Sequence, residues 1–159
     1  MMKDIFVLDL LDYRPVEPSI LFDIKMGLTH GTILVEREFR SFLAGTDWEV
    51  YRDKPVAIQC TEDAVVPQWA YMSVTEKLQG IASDIAFAEP ETMDVQLWSA
   101  CITSADFSRF KGQKVVVRQD QLIPPELYVV ATCKLKPLVT TLMYGEVGLP
   151  KVIFKSKEK

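Results

Sequence analysis

An internal repeat constrains this chain more than any other feature of its sequence. Identical or similar residues recur in the same order at an offset of 59 positions, which shortens to 57 beyond a loop. The first series is Asp47, Trp48, Tyr51, Val56, Ala57, Ile58, Asp63, Pro67, Tyr71, Lys77 and Leu78; the second is Asp106, Phe107, Phe110, Val115, Val116, Val117, Asp120, Pro124, Tyr128, Lys134 and Leu135. Such a series predicts a duplicated supersecondary unit.

Each copy is predicted to fold as helix, strand, loop, helix and strand. The first strands are expected at residues 55–60 and 114–118, because short apolar runs rich in β-branched residues are typical of strands buried on both faces. Pro67 and Pro124 indicate where the following helices begin, since the first turn of a helix does not need the missing N–H.

A second strand is expected after each of these helices, at residues 84–88 and 140–144. A further helix precedes each copy: residues 36–43 place apolar side chains on one face, and Trp98 begins the matching set. A strand, helix, strand order within one sheet implies parallel pairing. The predicted fold class is therefore α/β, with a largely parallel, or mixed, sheet flanked by helices.

The length of 159 residues is typical of one domain, so we expect a single domain over residues 1–159. Its expected parts are an N-terminal strand and covering segment at 1–34, the first repeat unit at 35–90, the second at 91–146 and a C-terminal tail at 147–159. The tail has a net charge of +3, and a short lysine-rich end is expected to be a solvated terminus.

Composition and charge exclude several classes of protein. Residues 1–150 have a net charge of −7, and an acidic body does not attract nucleic acid. No uncharged run reaches the roughly 18 to 20 residues of a membrane span, and aspartates interrupt the apolar N-terminus, unlike a signal peptide. The three cysteines form no CxxC pair, which favours a reducing compartment. We expect a soluble, cytoplasmic protein with no membrane or nucleic-acid partner and no cofactor.

The loops at residues 60–67 and 119–124 are the predicted place for a site, because open parallel sheets bind ligands at the carboxyl ends of strands. Neither loop contains glycine, which excludes a phosphate-binding loop. Cys60 is a candidate catalytic nucleophile, with His30 as its base; the alternative is a small buried hydrophobe.

Acidic residues of the same loops give a second candidate chemistry. Glu62, Asp63 and Asp120 could act as an acid/base pair or as oxygen ligands of a metal, although such acids more often cap a helix. His30 lies in a predicted turn, where it could titrate as a pH switch or bind a ligand. Trp69, if exposed, would suit a partner surface or a shallow pocket.

Cysteine and tyrosine residues within the predicted helices have structural interpretations. Cys101 and Cys133 are expected to be packing residues. Tyr71 and Tyr128 belong to apolar stripes and are expected to have buried rings with hydrogen-bonded hydroxyls.

Several segments together resemble a known family. They are GTILVEREF at 31–39, Asp47 with Trp48, VAIQC at 56–60, VPQWAYM at 66–72 and MYGE at 143–146. The combination resembles the bacterial family catalogued as domain of unknown function 2480, over nearly the whole chain. Since that family has no assigned activity, the resemblance implies no reaction, metal or cofactor.

Two function classes remain. The absence of a glycine loop, a catalytic triad or metal-ligand spacing favours a non-catalytic ligand- or protein-binding module. The alternative is an enzyme that uses the two loops, with Cys60 or the acids Glu62, Asp63 and Asp120. A homodimer is also possible, because large aromatic residues that are exposed would form an association patch. The alternative is that they fill the contact between the two repeat copies. The residues concerned are Trp48, Tyr51, Trp69, Trp98 and Phe107.

Overall fold

A computed structural model describes residues 4–146 and 148–157. Its strands are β1 (Ile5–Leu8), β2 (Ile20–Asp23), β3 (Pro55–Gln59), β4 (Asp84–Phe87), β5 (Lys114–Arg118), β6 (Thr141–Gly145) and β7 (Lys151–Lys155). Its α-helices are α1 (Glu36–Gly45), α2 (Gln68–Leu78), α3 (Pro90–Ser104) and α4 (Pro125–Leu135). The mixed α/β class is confirmed. Our expectation of one sheet is corrected, because the strands form two sheets.

The chain divides into two compact units, and the boundary falls within α3. We call Val16–Asp94 the inserted unit and Met1–Pro15 with Val95–Lys159 the split unit.

The inserted unit contains a parallel sheet in the order β2-β3-β4. Its central strand is buried from Pro55 through Ile58, as its apolar sequence predicts. Apolar side chains from the sheet and from α1 and α2 form one buried core, which includes Phe22, Ile24, Phe39, Leu43, Val56, Ile58, Val74 and Leu78.

The split unit contains a sheet in the order β1-β5-β6-β7. The first three strands are parallel, and β7 runs antiparallel to β6. The core of this unit includes Leu8, Leu10, Trp98, Ile102, Phe107, Phe110, Val115, Val117, Leu127, Ala131, Leu135 and Leu142.

The two prolines begin their helices as predicted. Pro67 and Pro124 are the N-cap residues of α2 and α4, with φ angles of −67° and −65°. The proline ring fixes φ near these values, so each proline defines the direction in which the chain enters its helix. Each helix then leads from an inner strand of its sheet to the next parallel strand.

The two ends of the chain differ from expectation. Residues 1–34 contain two strands, β1 and β2, and each joins a sheet edge, where we expected one strand and a covering segment. The predicted solvated tail contains β7, because Val152, Ile153 and Phe154 form an apolar run between lysines that pairs with β6.

The same order of elements occurs in both units: strand, 3₁₀ turn, helix, 3₁₀ turn, strand, helix and strand. Asp9 and Asp23 cap the first of these turns, and Asp47 and Asp106 each accept a hydrogen bond from the backbone two residues on. This order agrees with a duplication, which stays a prediction. Among the described residues, no helix has both the length and the apolar character needed to cross a bilayer.

Candidate functional site

The two loops singled out from sequence both follow an inner strand of a sheet. β3 ends at Gln59 and β5 ends at Arg118, so residues 60–67 and 119–124 each begin at a carboxyl strand end. They belong to different units, and each loop has its own surroundings.

In the inserted unit, hydrogen bonds tie the loop to the end of β2. The Asp23 carboxylate accepts from the Thr61 backbone N–H at 3.0 Å, from the Thr61 hydroxyl at 2.6 Å and from the Lys25 N–H at 3.0 Å. Partial burial raises the pKa of Asp23, but the bonds from Thr61 and Lys25 outweigh it and lower this pKa below its ordinary value. The Glu62 carboxylate lies 3.4 Å from the Lys25 ammonium. Asp23 and Glu62 therefore hold this loop in place.

The other candidates of the inserted unit are not gathered into one centre by any contact. The half-buried Cys60 thiol donates to the Glu62 carbonyl at 3.5 Å and packs against the core. Asp63 and His30 are exposed, and His30 sits in a turn with φ of 54°. Within residues 4–146 and 148–157, no three His, Cys, Asp or Glu side chains are grouped so that they could hold a metal ion.

Two of the cysteines differ from expectation. Cys101 and Cys133 are exposed on α3 and α4, although we expected packing residues. Each helix turns another face to its core, with Ile102 buried on α3 and Ala131 buried on α4, and Cys101 and Cys133 lie outside these buried faces.

We expect two thiols per chain to react quickly with Ellman's reagent and one to react slowly. Exposed Cys101 and Cys133 present their sulfur atoms to the reagent, whereas Cys60 is half-buried and hydrogen-bonded. The time course of thionitrobenzoate release measures both phases, and Cys60→Ser should remove the slow one. A slow phase that persists in Cys60→Ser would contradict this assignment.

Trp69 is half-buried at the start of α2. Its ring meets Phe39 edge-on at 5.9 Å, and the Arg40 guanidinium lies 5.0 Å from the ring centroid. With Leu43 and Met72 it lines an open cleft of about 410 Å³ between α1 and α2. The structure thus places Trp69 at a shallow depression whose lining also includes Arg40, Glu76 and Lys77.

In the split unit, Tyr128 organises the loop after β5. Its hydroxyl accepts from the Asp120 backbone N–H at 3.0 Å and lies within hydrogen-bond distance, 3.3 Å, of the Arg118 carbonyl. The Asp120 carboxylate accepts from the Leu122 N–H at 2.8 Å. The hydroxyl is hydrogen-bonded, as expected, but Tyr128 is half-buried, where we expected a buried ring. These bonds give the loop a defined shape.

A cleft of about 430 Å³ opens beside this loop. Its walls come from the loop, from the first two turns of α4, from the end of β6 and from β7. The lining residues are Val117, Asp120, Gln121, Ile123, Pro125, Tyr128, Thr132, Leu142, Met143, Tyr144 and Ile153. The cleft therefore combines an apolar surface with a small number of polar groups at a carboxyl strand edge.

Comparison with known proteins gives one finding. A family model described as a protein of unknown function (DUF2480) matches residues 1–156. The chain belongs to the DUF2480 family. The resemblance found in the sequence is confirmed. No curated protein and no solved structure matches the chain. Membership of DUF2480 assigns no activity, so the candidate function of this chain rests on the cleft itself.

In this DUF2480 chain, Tyr144 and Ile153 are among the lining residues that were not predicted from the sequence. The Tyr144 ring meets Tyr128 edge-on at 5.5 Å, just as Phe87 meets Tyr71 at 5.3 Å in the inserted unit. The repeat offset of 57 relates these two pairs, so the repeat itself could have indicated Tyr144. Ile153 was missed because its segment was interpreted as a solvated tail.

The electrostatic surroundings of Tyr128 are negative. Burial raises the pKa of the Tyr128 hydroxyl most, and nearby Tyr144, Asp120 and Asp9 raise it further by charge, although the bond from the Asp120 N–H opposes them. Asp9 is paired with the Arg118 guanidinium at 3.5 Å. Tyr128 therefore acts as a neutral hydroxyl at neutral pH.

Proposed function

We propose that this DUF2480 protein is a non-catalytic binding protein whose split unit holds a small, largely apolar molecule. The cleft at the ends of β5 and β6 is the observation that carries the proposal. Its place supports a ligand site, because open α/β sheets bind ligands outside the carboxyl ends of their parallel strands.

The size and lining of the cleft support a small organic ligand. A volume of about 430 Å³ lies within the usual range of small-molecule sites. Such sites are mainly apolar and carry a few polar groups that orient the ligand, and here Asp120, Tyr128 and Thr132 lie among aliphatic side chains. Hydrogen bonds to the backbone fix the positions of Asp120 and Tyr128, which reduces the ordering cost of binding.

The bonding of the loop residues favours binding over catalysis. The Tyr128 hydroxyl is held between backbone groups of the loop, and in the inserted unit Cys60 donates to a carbonyl while Glu62 pairs with Lys25. These side chains form bonds to other groups of the same protein, which supports a structural role for them.

We expect Ile153→Trp to abolish ligand binding in the cleft. Ile153 lines the cleft from an edge strand, and a larger ring there occupies the space of a ligand. The measurement is a fragment screen followed by ¹H–¹⁵N NMR, in which binding fragments should shift the amides of Ile123, Met143 and Tyr144. These shifts should disappear in the variant.

Val152→Trp is the matched control. Val152 is 58% exposed, close to the 54% of Ile153, and it lies on the same strand, but it is not among the residues that line the cleft. This variant should keep the fragment shifts. Fragments that shift no cleft amide, or that bind Ile153→Trp unchanged, would refute the proposed function.

Partners and location stay proposals. Tyr51, Trp98 and Phe107 are buried in the unit cores and Trp48 and Trp69 are half-buried, so these aromatics do not supply the patch that we considered for a homodimer. The acidic body supports the absence of a nucleic-acid partner, and the free cysteines support a cytoplasmic location. Native mass spectrometry would measure the subunit count directly.

A further inference from the structure

The charge of the cleft in the split unit points to the class of its ligand. Asp120 contributes a carboxylate to the lining, and no lysine, arginine or histidine of the described residues, 4–146 and 148–157, lines the cleft. The Arg118 guanidinium, the cation next to this loop, pairs with Asp9. The lining therefore carries one negative charge, unbalanced by any basic side chain within it.

The Asp120 carboxylate has capacity for a ligand. One of its oxygens, Oδ1, accepts the Leu122 N–H at 2.8 Å, which orients the group. No partner of Oδ2 is seen among residues 4–146 and 148–157. A half-buried carboxylate held in this way is suited to accept a charge-assisted hydrogen bond.

Two tyrosine rings form an aromatic corner in the same cleft. The rings of Tyr128 and Tyr144 are 5.5 Å apart with an interplanar angle of 79°, and both line the cleft. The faces of aromatic rings attract cations, and cages of aromatic rings recognise ammonium ligands. Ile123, Leu142 and Ile153 supply the apolar surface for the remainder of a ligand.

We propose that the cleft binds a small organic cation, an ammonium group attached to an apolar body, with Asp120 and the Tyr128–Tyr144 corner receiving the charge. This inference rests on the proposed binding function and names its ligand class. A cation also relieves the unbalanced charge of Asp120, whereas an anion would add to it.

Three probes of similar size and different charge test the inference. They are 2-phenylethylammonium, neutral 2-phenylethanol and anionic 3-phenylpropionate, each titrated into the full chain at neutral pH and followed by ¹H–¹⁵N NMR. We expect the cation to bind at least about tenfold more tightly than the other two, because it alone makes a charge-assisted bond to the carboxylate. The shifts should involve the amides of Gln121, Ile123 and Tyr144.

Asp120→Asn should reduce the affinity for the cation to that for the alcohol. Asparagine keeps an oxygen that can accept the Leu122 N–H, so the loop retains its shape while the charge is removed. Tyr144→Leu should weaken the cation and leave the alcohol within about twofold, since leucine keeps apolar surface but lacks a ring face. Asp63→Asn, an exposed position related by the repeat offset, should change nothing.

The outcomes separate the two proposals. Equal binding of all three probes in the cleft, or preference for the anion, would overturn the cation inference and leave the proposed function standing. If no probe and no fragment shifts the cleft amides, both proposals fail.

Discussion

Replacing Lys134 with methionine should lower the free energy of unfolding by about 2–4 kcal/mol. The Lys134 ammonium donates to the Ile102 carbonyl at 2.8 Å, to the Thr103 carbonyl at 2.7 Å and to the Ala105 carbonyl. It also lies 4.5 Å from the centroid of the buried Phe107 ring. The last carbonyls of a helix have no partner within the helix, and a cation there is favoured by the helix dipole. Lys134 thus caps the C-terminus of α3.

Methionine keeps the unbranched apolar stem of the side chain but lacks the ammonium group, so the partly buried Ile102 carbonyl loses its partner. Urea-induced unfolding followed by circular dichroism measures the change. Lys77→Met is the matched control: Lys77 stands at the repeat-related position but is exposed, with its ammonium 3.8 Å from the Glu76 carboxylate. Its expected cost is below about 0.5 kcal/mol. Equal losses in the two variants would show that capping by Lys134 contributes nothing.

Gly27→Ala should destabilise the protein by about 2–3 kcal/mol. Gly27 is buried in the 3₁₀ turn after β2, and a Cβ atom there would lie 2.5 Å from the Phe42 ring and 2.7 Å from the Phe39 ring. Phe39 is fully buried and packs against Phe42 and Trp69, so its ring has no room to withdraw even where the half-buried Phe42 ring can shift. One added methyl group therefore forces the core of the inserted unit apart.

Gly45→Ala is the matched control in the same unit, and we expect it not to destabilise the protein. Apart from its chain neighbours and the backbone of its own helix, no atom in the described part of the chain lies within 4 Å of the position of a Cβ at Gly45, the last residue of α1. Alanine is the better helix former, so stability should stay constant or rise by up to about 0.5 kcal/mol. Thermal unfolding of both variants by calorimetry measures the difference. Comparable stability of Gly27→Ala and Gly45→Ala would mean that the Phe39 and Phe42 rings can rearrange.

Local signals in the sequence were sufficient for most elements. The apolar run at 114–118 became β5 with the same bounds, and the run at 55–60 differs from β3 by one residue. Pro67 and Pro124 begin their helices because a fixed φ and a missing N–H act within one turn. Such features depend on neighbours along the chain, which a sequence displays directly.

The pairing of the strands could not be predicted from these local signals. β2 has four residues and follows two prolines, so its apolar pattern is too short to distinguish a strand from a turn. The division into two sheets depends on pairings such as Ile20 with Val56 and Ile5 with Lys114, which no local period encodes. The solvent exposure of Cys101 and Cys133 depends on which side of each helix packs against its core. Rotating a helix about its axis by the angle between two successive residues would change whether such a side chain is buried or exposed.

Some residues of the candidate site could be predicted from the sequence, whereas others depend on tertiary structure. Asp120 was identified because loops at carboxyl strand ends are a general place for ligands. Tyr144 and Ile153 complete the cleft only because β6 and β7 pair beside that loop, so their contribution depends on tertiary structure. Cys60, Glu62 and Asp63 share the predicted loop position, yet the bonds to Asp23 and Lys25 give that loop a structural task.

The pairing of β1 with β5 has a consequence for the chain during its synthesis. Ile5 pairs with Lys114, so the first strand leaves the ribosome long before its partner exists, and the whole inserted unit emerges in between. Throughout that interval, the apolar residues Phe6 and Val7 have no sheet to join. Asp4 and Asp9 flank this segment, and charges in such positions oppose aggregation of a waiting strand. The β1 segment must therefore stay free of aggregation while it is unpaired during synthesis, a requirement that ends once it pairs with β5.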